Sequence, residues 1–215
     1  MSAHKLIFFD CDSTLSAIEG VDELARLRGP DCFAEVEAMT NAAMDGQTPI
    51  DEVFGRRLNI IQPTLMEVEV VAQMYLDHIE PTALATINEV KAMGWTPMIL
   101  SAGFTQVIEP LAEYLGISRI EAVALKFDES GNYADFDRRF PTTRNGGKPA
   151  RILQLKRELS PDRIVMVGDG ISDFETQDTV DLFVGFGGFI QRPKVKAGAS
   201  QFINSLSEIL PLLRT

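Results

Sequence analysis

Residues 5–15 read KLIFFDCDSTL. Four consecutive apolar residues, Leu6 to Phe9, stop abruptly at two aspartates, Asp10 and Asp12, followed by Ser13 and Thr14. A short, fully apolar run of this kind is a strand buried on both faces, as in a parallel sheet. The spacing predicts a strand over residues 5–10, with its carboxylates at the carboxyl end. The same grammar recurs downstream. Residues 95–100 form an apolar strand that meets Ser101-Ala102-Gly103, and residues 163–167 form another that meets GDGISD at 168–173. A third candidate covers 182–186. Helical spacing fills 82–93, 104–115, 149–158 and 204–212, with a helix also expected after Gly170. Strands are expected at 120–127 and, as a hairpin return, at 133–136. Strands alternating with helices predict an α/β fold, a Rossmann-like parallel sheet covered on both faces.

Residues 16–80 break this pattern. Ile18, Val21, Leu24 and Leu27 recur at helical steps and stop before Gly29-Pro30. Phe33, Val36, Met39 and Ala43 form a second stripe. Ile50, Val53, Phe54, Leu58 and Ile61 form a third, ended by Pro63, and Leu65, Val68, Val71, Ala72 and Tyr75 a fourth. Four short helices in succession predict a helical bundle inserted into the sheet domain. The expected division is a catalytic core of residues 1–15 and 81–215 and a helical cap of residues 16–80.

The 215 residues carry a formal net charge of -11. The insertion holds 13 acidic and 4 basic residues, so the acidity is concentrated there. This balance argues against nucleic-acid binding, which needs clustered Lys and Arg, and against an anionic membrane surface. No run approaches the roughly 18 apolar residues of a membrane span, and the apolar start is too short for a secretory signal. Cys11 and Cys32 are the two cysteines. Cys11 sits between two aspartates, a poor place for a disulfide. These features fit a reducing cytoplasm.

In an open α/β sheet, ligands bind outside the carboxyl ends of the strands. Asp10, Asp12, Ser101, Asp169 and Asp173 all fall there, and Lys148 stands just ahead of a helix. Bare carboxylates this close repel one another. A divalent cation removes the conflict, and an oxygen-only donor set suits Mg²⁺ bridged to a substrate phosphate. Lysine and serine then serve phosphate oxygens. The residues read as Mg²⁺-dependent phosphoryl transfer. A carboxylate can be the nucleophile, and a second, two residues on, can protonate the leaving oxygen.

The ordered set DCDSTL, LSAGF, GGK and VGDGISDFET resembles that of the haloacid dehalogenase-like hydrolase superfamily. The stretches EGVDELA, AMTNAAMDG, RRLNIIQP and VGFGG resemble the phosphoserine phosphatases within it. The resemblance covers nearly the whole chain. It implies that Asp10 is the nucleophile, that Asp12 is the general acid and then the base, and that an aspartyl-phosphate forms. It implies Mg²⁺ on the side chains of Asp10 and Asp169 and the backbone carbonyl of Asp12, with Asp173 behind them. Ser101, Ala102 and Lys148 would bind the phosphoryl group, and Thr14 would support the first loop. Glu19 would meet a substrate ammonium and Arg57 a substrate carboxylate, with Met44 and Ser172 also against the substrate. The implied reaction converts O-phospho-L-serine to L-serine and phosphate, a step of serine biosynthesis, in a monomer or homodimer whose partner is a small molecule.

Three departures stand out. Ala102 occupies a position where glycine is usual, Ser172 one where Asn or Thr is common, and Ile50 one that is aromatic in some members. They leave phosphothreonine, phosphohomoserine or a sugar phosphate as alternative substrates. A phospho-aspartate signalling domain uses a similar residue set in another order and without the insertion. A non-catalytic interaction protein on this scaffold would have no need of the intact set of acids.

Overall fold

The structure is a computed structural model and describes residues 4–214, apart from residue 46 and the side chain of Met44. The chain runs β1 (Lys5–Phe9), α1 (Gly20–Leu27), α2 (Pro30–Met44), α3 (Ile50–Ile61), α4 (Leu65–Asp77), α5 (Ala83–Ala92) and β2 (Trp95–Phe104). It continues through α6 (Thr105–Leu115), β3 (Ile120–Val123), β4 (Leu125–Phe127), β5 (Tyr133–Phe136), α7 (Gly147–Leu159), β6 (Arg163–Gly168) and α8 (Ile171–Phe174). The last elements are β7 (Leu182–Phe186), α9 (Pro193–Gly198), β8 (Gln201–Ile203) and α10 (Ile209–Leu212).

Six strands form one parallel sheet in the order β3-β2-β1-β6-β7-β8. The chain leaves β1 on one side, to β2 and β3, then crosses to β6 on the other. That reversal opens a crevice above the carboxyl ends of β1 and β6. Phe9 is level with both Ile99 and Val167. Asp10, Ser101 and Asp169, each one or two residues further on, are therefore delivered to one height above the sheet.

Alternation along β1 sends its side chains to opposite faces. Leu6 and Phe8 pack with Met98, Leu100, Met166 and the α7 residues Ile152 and Leu155. Ile7 and Phe9 face the other way, into a cluster with Ile87 of α5 and Leu111 of α6. That cluster continues without interruption into Leu24, Val36, Leu58 and Val71 of α1 to α4. The inserted helices therefore share their apolar core with one face of the sheet. α4 begins with a capping box: the Thr64 hydroxyl accepts from the Glu67 amide at 3.3 Å, and Glu67 accepts from the Thr64 amide at 2.7 Å. The two crossings between helices and sheet run side by side. Ala17 N donates to His78 O at 2.9 Å, and Glu80 N to Leu15 O at 2.9 Å.

Three expectations need correction. The strand expected over 120–127 is two strands. Ala124 turns its carbonyl to Asp137 N at 2.8 Å, so β4 leaves the main sheet and pairs antiparallel with β5. β2 does not end at Ser101 but runs on to Phe104 past an irregularity. The last helix is not continuous over 204–212. The Ser205–Glu208 capping box starts a 3₁₀ turn at Leu206–Glu208, and α10 follows. β7 is followed by α9 and β8, both too short to show a period.

Candidate active site

The first loop is built around a single carbonyl. Cys11 O accepts the amides of Thr14, Leu15 and Ser16 at 3.3, 2.9 and 3.0 Å, which turns the chain sharply after the two aspartates. Ser13 sits at φ +52°, a left-handed conformation that is uncommon for a residue with a Cβ and that these bonds enforce. Asp10 stays at the end of β1, its amide donating to Val167 O at 2.9 Å and its Oδ1 accepting from Cys11 N at 2.7 Å.

Lys148 reaches this carboxylate from α7. It lies in the first turn of that helix rather than ahead of it, and its side chain is 2% exposed. Nζ is 2.8 Å from Asp10 Oδ2 and 2.5 Å from Asp173 Oδ1. The preceding glycine explains its placement. A Cβ on Gly147 would fall 2.0 Å from the Pro141 carbonyl oxygen, so only glycine lets α7 start this close to the 141–143 turn. That turn is itself tied to the site, because the Thr142 hydroxyl donates to Ser101 O at 3.0 Å. Ser101 Oγ accepts from Gly103 N at 2.9 Å. Burial works to lower the Lys148 pKa, but Asp10 and Asp173 together outweigh it and hold the ammonium above its ordinary range.

Beyond β6, Asp169 receives the Thr14 hydroxyl at 3.2 Å and Arg192 Nε at 3.0 Å. Asp173 Oδ2 accepts from Gly170 N at 2.9 Å. One carboxylate oxygen from each of Asp10, Asp169 and Asp173 lies within 4.8 Å of the others. Burial first, then the charges of Glu19, Asp10 and Asp173, push the Asp169 carboxyl well above its ordinary value. Burial and Asp10 push Asp173 up to about 8, against the pull of Lys148. An all-oxygen cluster that resists holding this much negative charge suits a hard divalent cation.

The Asp12 side chain turns away from that cluster. Its Oδ1 accepts from the Tyr75 hydroxyl, and its Oδ2 lies toward Gly103. Burial, then the charges of Glu19 and Asp10, push its carboxyl up. Asp10, Asp12, Glu19, Ser101, Ala102, Lys148, Asp169 and Ser172 line one cavity. A second, lined by Asp12, Glu19, Val21, Arg57, Ala102, Gly103 and Phe104, adjoins it through Asp12, Glu19 and Ala102. Glu19 accepts from the Ser13 hydroxyl at 2.6 Å, and burial raises its pKa. Arg57 is 5% exposed, so it is not a surface arginine, whereas Arg56 beside it is exposed. Its Nη1 donates to Thr40 Oγ1 at 3.1 Å, and its buried Nε has no partner.

Every expected residue with a described side chain gathers here: Asp10, Asp12, Thr14, Glu19, Arg57, Ser101, Ala102, Lys148, Asp169, Ser172 and Asp173. The Met44 side chain lies outside the described residues. Sequence reasoning missed four participants. Arg192 follows the carboxyl end of β7, so the rule that found the other loops applied to it as well. Thr40 and Asp22, bonded at 2.6 Å beneath Arg57, and Tyr75 carried no local signal.

Residues 4–176 match the family model of haloacid dehalogenase-like hydrolases. The phosphoserine phosphatase of Mus musculus is 35% identical over 206 residues, covering 95% of this chain and 91% of its own. A solved phosphoserine phosphatase described as a phospho-aspartyl intermediate analogue superposes with a TM-score of 0.87 at 26% identity, covering 98% of this chain and 99% of that one. A substrate-bound phosphoserine phosphatase complex gives 0.87 at 25% identity, covering 99% of both chains. The chain belongs to the haloacid dehalogenase-like hydrolase family and, within it, to the phosphoserine phosphatases.

Proposed function

We propose that this chain hydrolyses O-phospho-L-serine to L-serine and phosphate through a phospho-aspartate on Asp10, with Mg²⁺ as cofactor, as a step of serine biosynthesis in the cytoplasm. One observation carries the substrate assignment. The two adjoining cavities have a lysine and metal-type carboxylates at one end, and a buried arginine with a free N–H at the other. Phosphoserine is a short molecule with a phosphate at one end and a carboxylate and ammonium at the other. Arg57 suits the carboxylate, and Glu19, lining both cavities, suits the ammonium.

In the first step an Asp10 oxygen attacks phosphorus, the bond from phosphorus to the serine oxygen breaks, and Asp12 gives its proton to that oxygen. In the second, water attacks phosphorus, its proton passes to Asp12, and the bond between phosphorus and Asp10 breaks. The raised Asp12 pKa supports a carboxyl that carries a proton when substrate arrives. Lys148 and the Ser101 loop orient the phosphoryl oxygens and offset their charge. Asp10, Asp169 and the Asp12 carbonyl would hold Mg²⁺, with Asp173 behind, and the ion supplies positive charge to the phosphoryl group. Residues 16–80 act as a cap over the site, and residues 1–15 and 81–215 as the catalytic core. Two unpaired cysteines, one of them buried, fit a reducing compartment.

Phosphate release from phosphoserine, phosphothreonine, a hexose phosphate and p-nitrophenyl phosphate, with Mg²⁺ and with EDTA, tests this reading. Phosphoserine is expected to give the highest kcat/KM and EDTA to abolish turnover. A preference for the sugar phosphate overturns the roles given to Glu19 and Arg57.

A further inference from the structure

Tyr75 lies on α4, more than 60 residues from the catalytic loop, with a wholly buried side chain. Its hydroxyl donates to Asp12 Oδ1. The other oxygen, Oδ2, lies 2.9 Å from where a Cβ on Gly103 would stand, on the wall of the substrate cavity. The carboxylate is thus divided, with one oxygen held and one presented. Tyr75 does not line either cavity, so it touches Asp12 and not the ligand space. Its neighbours leave it little room to move. A Cβ on Gly20 would fall 2.3 Å from the Tyr75 hydroxyl oxygen, so the glycine beside Glu19 makes space for the phenol. The Tyr75 carbonyl also accepts from Ser16 Oγ at 3.3 Å, tying this turn of α4 to the start of the insertion.

We infer that Tyr75 is a positioning residue for proton transfer: its hydroxyl holds Asp12 Oδ1 so that Oδ2 faces the leaving oxygen of the substrate. The inference rests on the role given to Asp12 above. It adds a group on the inserted helices that completes the acid-base carboxylate of the core. A free carboxylate can rotate about its last bond, and an acid displaced by a fraction of an ångström transfers its proton less well.

The test compares Tyr75→Phe with the parent chain on two leaving groups. Phosphoserine expels an alkoxide that needs the proton, whereas p-nitrophenyl phosphate expels a stable phenolate that does not. kcat/KM reports only the steps through departure of the leaving group. Tyr75→Phe should lower kcat/KM for phosphoserine about tenfold or more and for p-nitrophenyl phosphate less than about threefold. In an Asp12→Asn background, the same change should add less than about twofold to the fall in kcat/KM for phosphoserine. Equal falls on both substrates, with a matching loss of thermal stability, would reduce Tyr75 to packing and overturn the inference. So would no change on either, or additive effects with Asp12→Asn. If the parent chain ignores phosphoserine but cleaves another alkyl phosphate, the substrate assignment fails, and that ester replaces phosphoserine in the comparison.

Discussion

Arg192 Nε donates to Asp169 Oδ2 at 3.0 Å, with both side chains almost wholly buried. The same guanidinium stands 3.4 Å from Asp45 Oδ1 and 4.0 Å from Glu19 Oε1, both on the inserted helices or their edges. One arginine after β7 therefore joins a carboxylate of the metal-type cluster to two acids of the insertion. It is also the nearest compensation for Asp169, whose other neighbours are largely acidic.

Arg192→Ala should destabilise the metal-free chain by about 1.5–3 kcal/mol, because it removes a buried charge-assisted hydrogen bond to Asp169. Saturating Mg²⁺ should recover most of that loss. Thermal unfolding of parent and variant, each with Mg²⁺ and with EDTA, measures both effects. An equal loss in the two conditions would mean that Arg192 contributes packing alone.

Lys148→Met removes the only cation bonded to both Asp10 and Asp173 among the described residues. kcat for phosphoserine should fall by about 10²–10³, the usual cost of losing a charged group at the reacting phosphoryl. Lys148→Arg should not rescue it, because a planar guanidinium does not fit the site of a compact ammonium. Steady-state kinetics on both variants checks this.

Arg57→Ala should discriminate between substrates. A charged hydrogen bond to the substrate carboxylate is worth about 1.5–3 kcal/mol, so kcat/KM for phosphoserine should drop by about 10- to 100-fold. p-Nitrophenyl phosphate has no carboxylate and should change only a few-fold.

Asp22 beneath Arg57 predicts a pH-dependent stability. Burial raises its carboxyl from 3.8 to about 6, against the Thr40 hydrogen bond and the charge of Arg57. The folded chain then holds a proton that the unfolded chain has already released. This favours the folded state at low pH and is lost as pH rises from about 4 to 6. The whole window is worth roughly 3 kcal/mol. Asp22→Asn cannot titrate and keeps an acceptor for Thr40, so it should gain about that much on the parent chain between pH 4 and pH 7. Denaturant titrations at the two pH values read the difference.

Magnesium should displace protons. With Asp173 near 8 and Asp169 also raised, the metal-free cluster holds protons at pH 7. Binding should release them into a weakly buffered indicator solution. At a hundred times its dissociation constant, Mg²⁺ should stabilise the chain by about 2.7 kcal/mol. Asp169→Asn should remove both signals.

The sheet was legible because its strands are short apolar runs ended by chemistry. KLIFF before Asp10 and RIVMVG before Asp169 carry their burial in their composition. α1 to α4 were legible from apolar spacing, and α3 runs over residues 50–61 as its stripe required. The departure of β4 from the sheet was not legible. It depends on one carbonyl at Ala124 finding Asp137, a pairing across an intervening turn.

Sequence alone determined the core of the site, because Asp10 and Asp169 directly follow β1 and β6, Ser101 directly follows the apolar run of β2, and parallel pairing leaves those three points side by side. It also determined the family, through motifs whose order and flanks are specific. Only the tertiary structure decided what surrounds those groups. Tyr75 meets Asp12 because α4 packs against α6 and α1. Arg192 meets Asp169 because β7 lies next to β6. Arg57 is buried because Thr40 and Asp22 come from two other helices. Each of these contacts joins residues far apart in the chain, and no local spacing records a partner that only packing brings within reach.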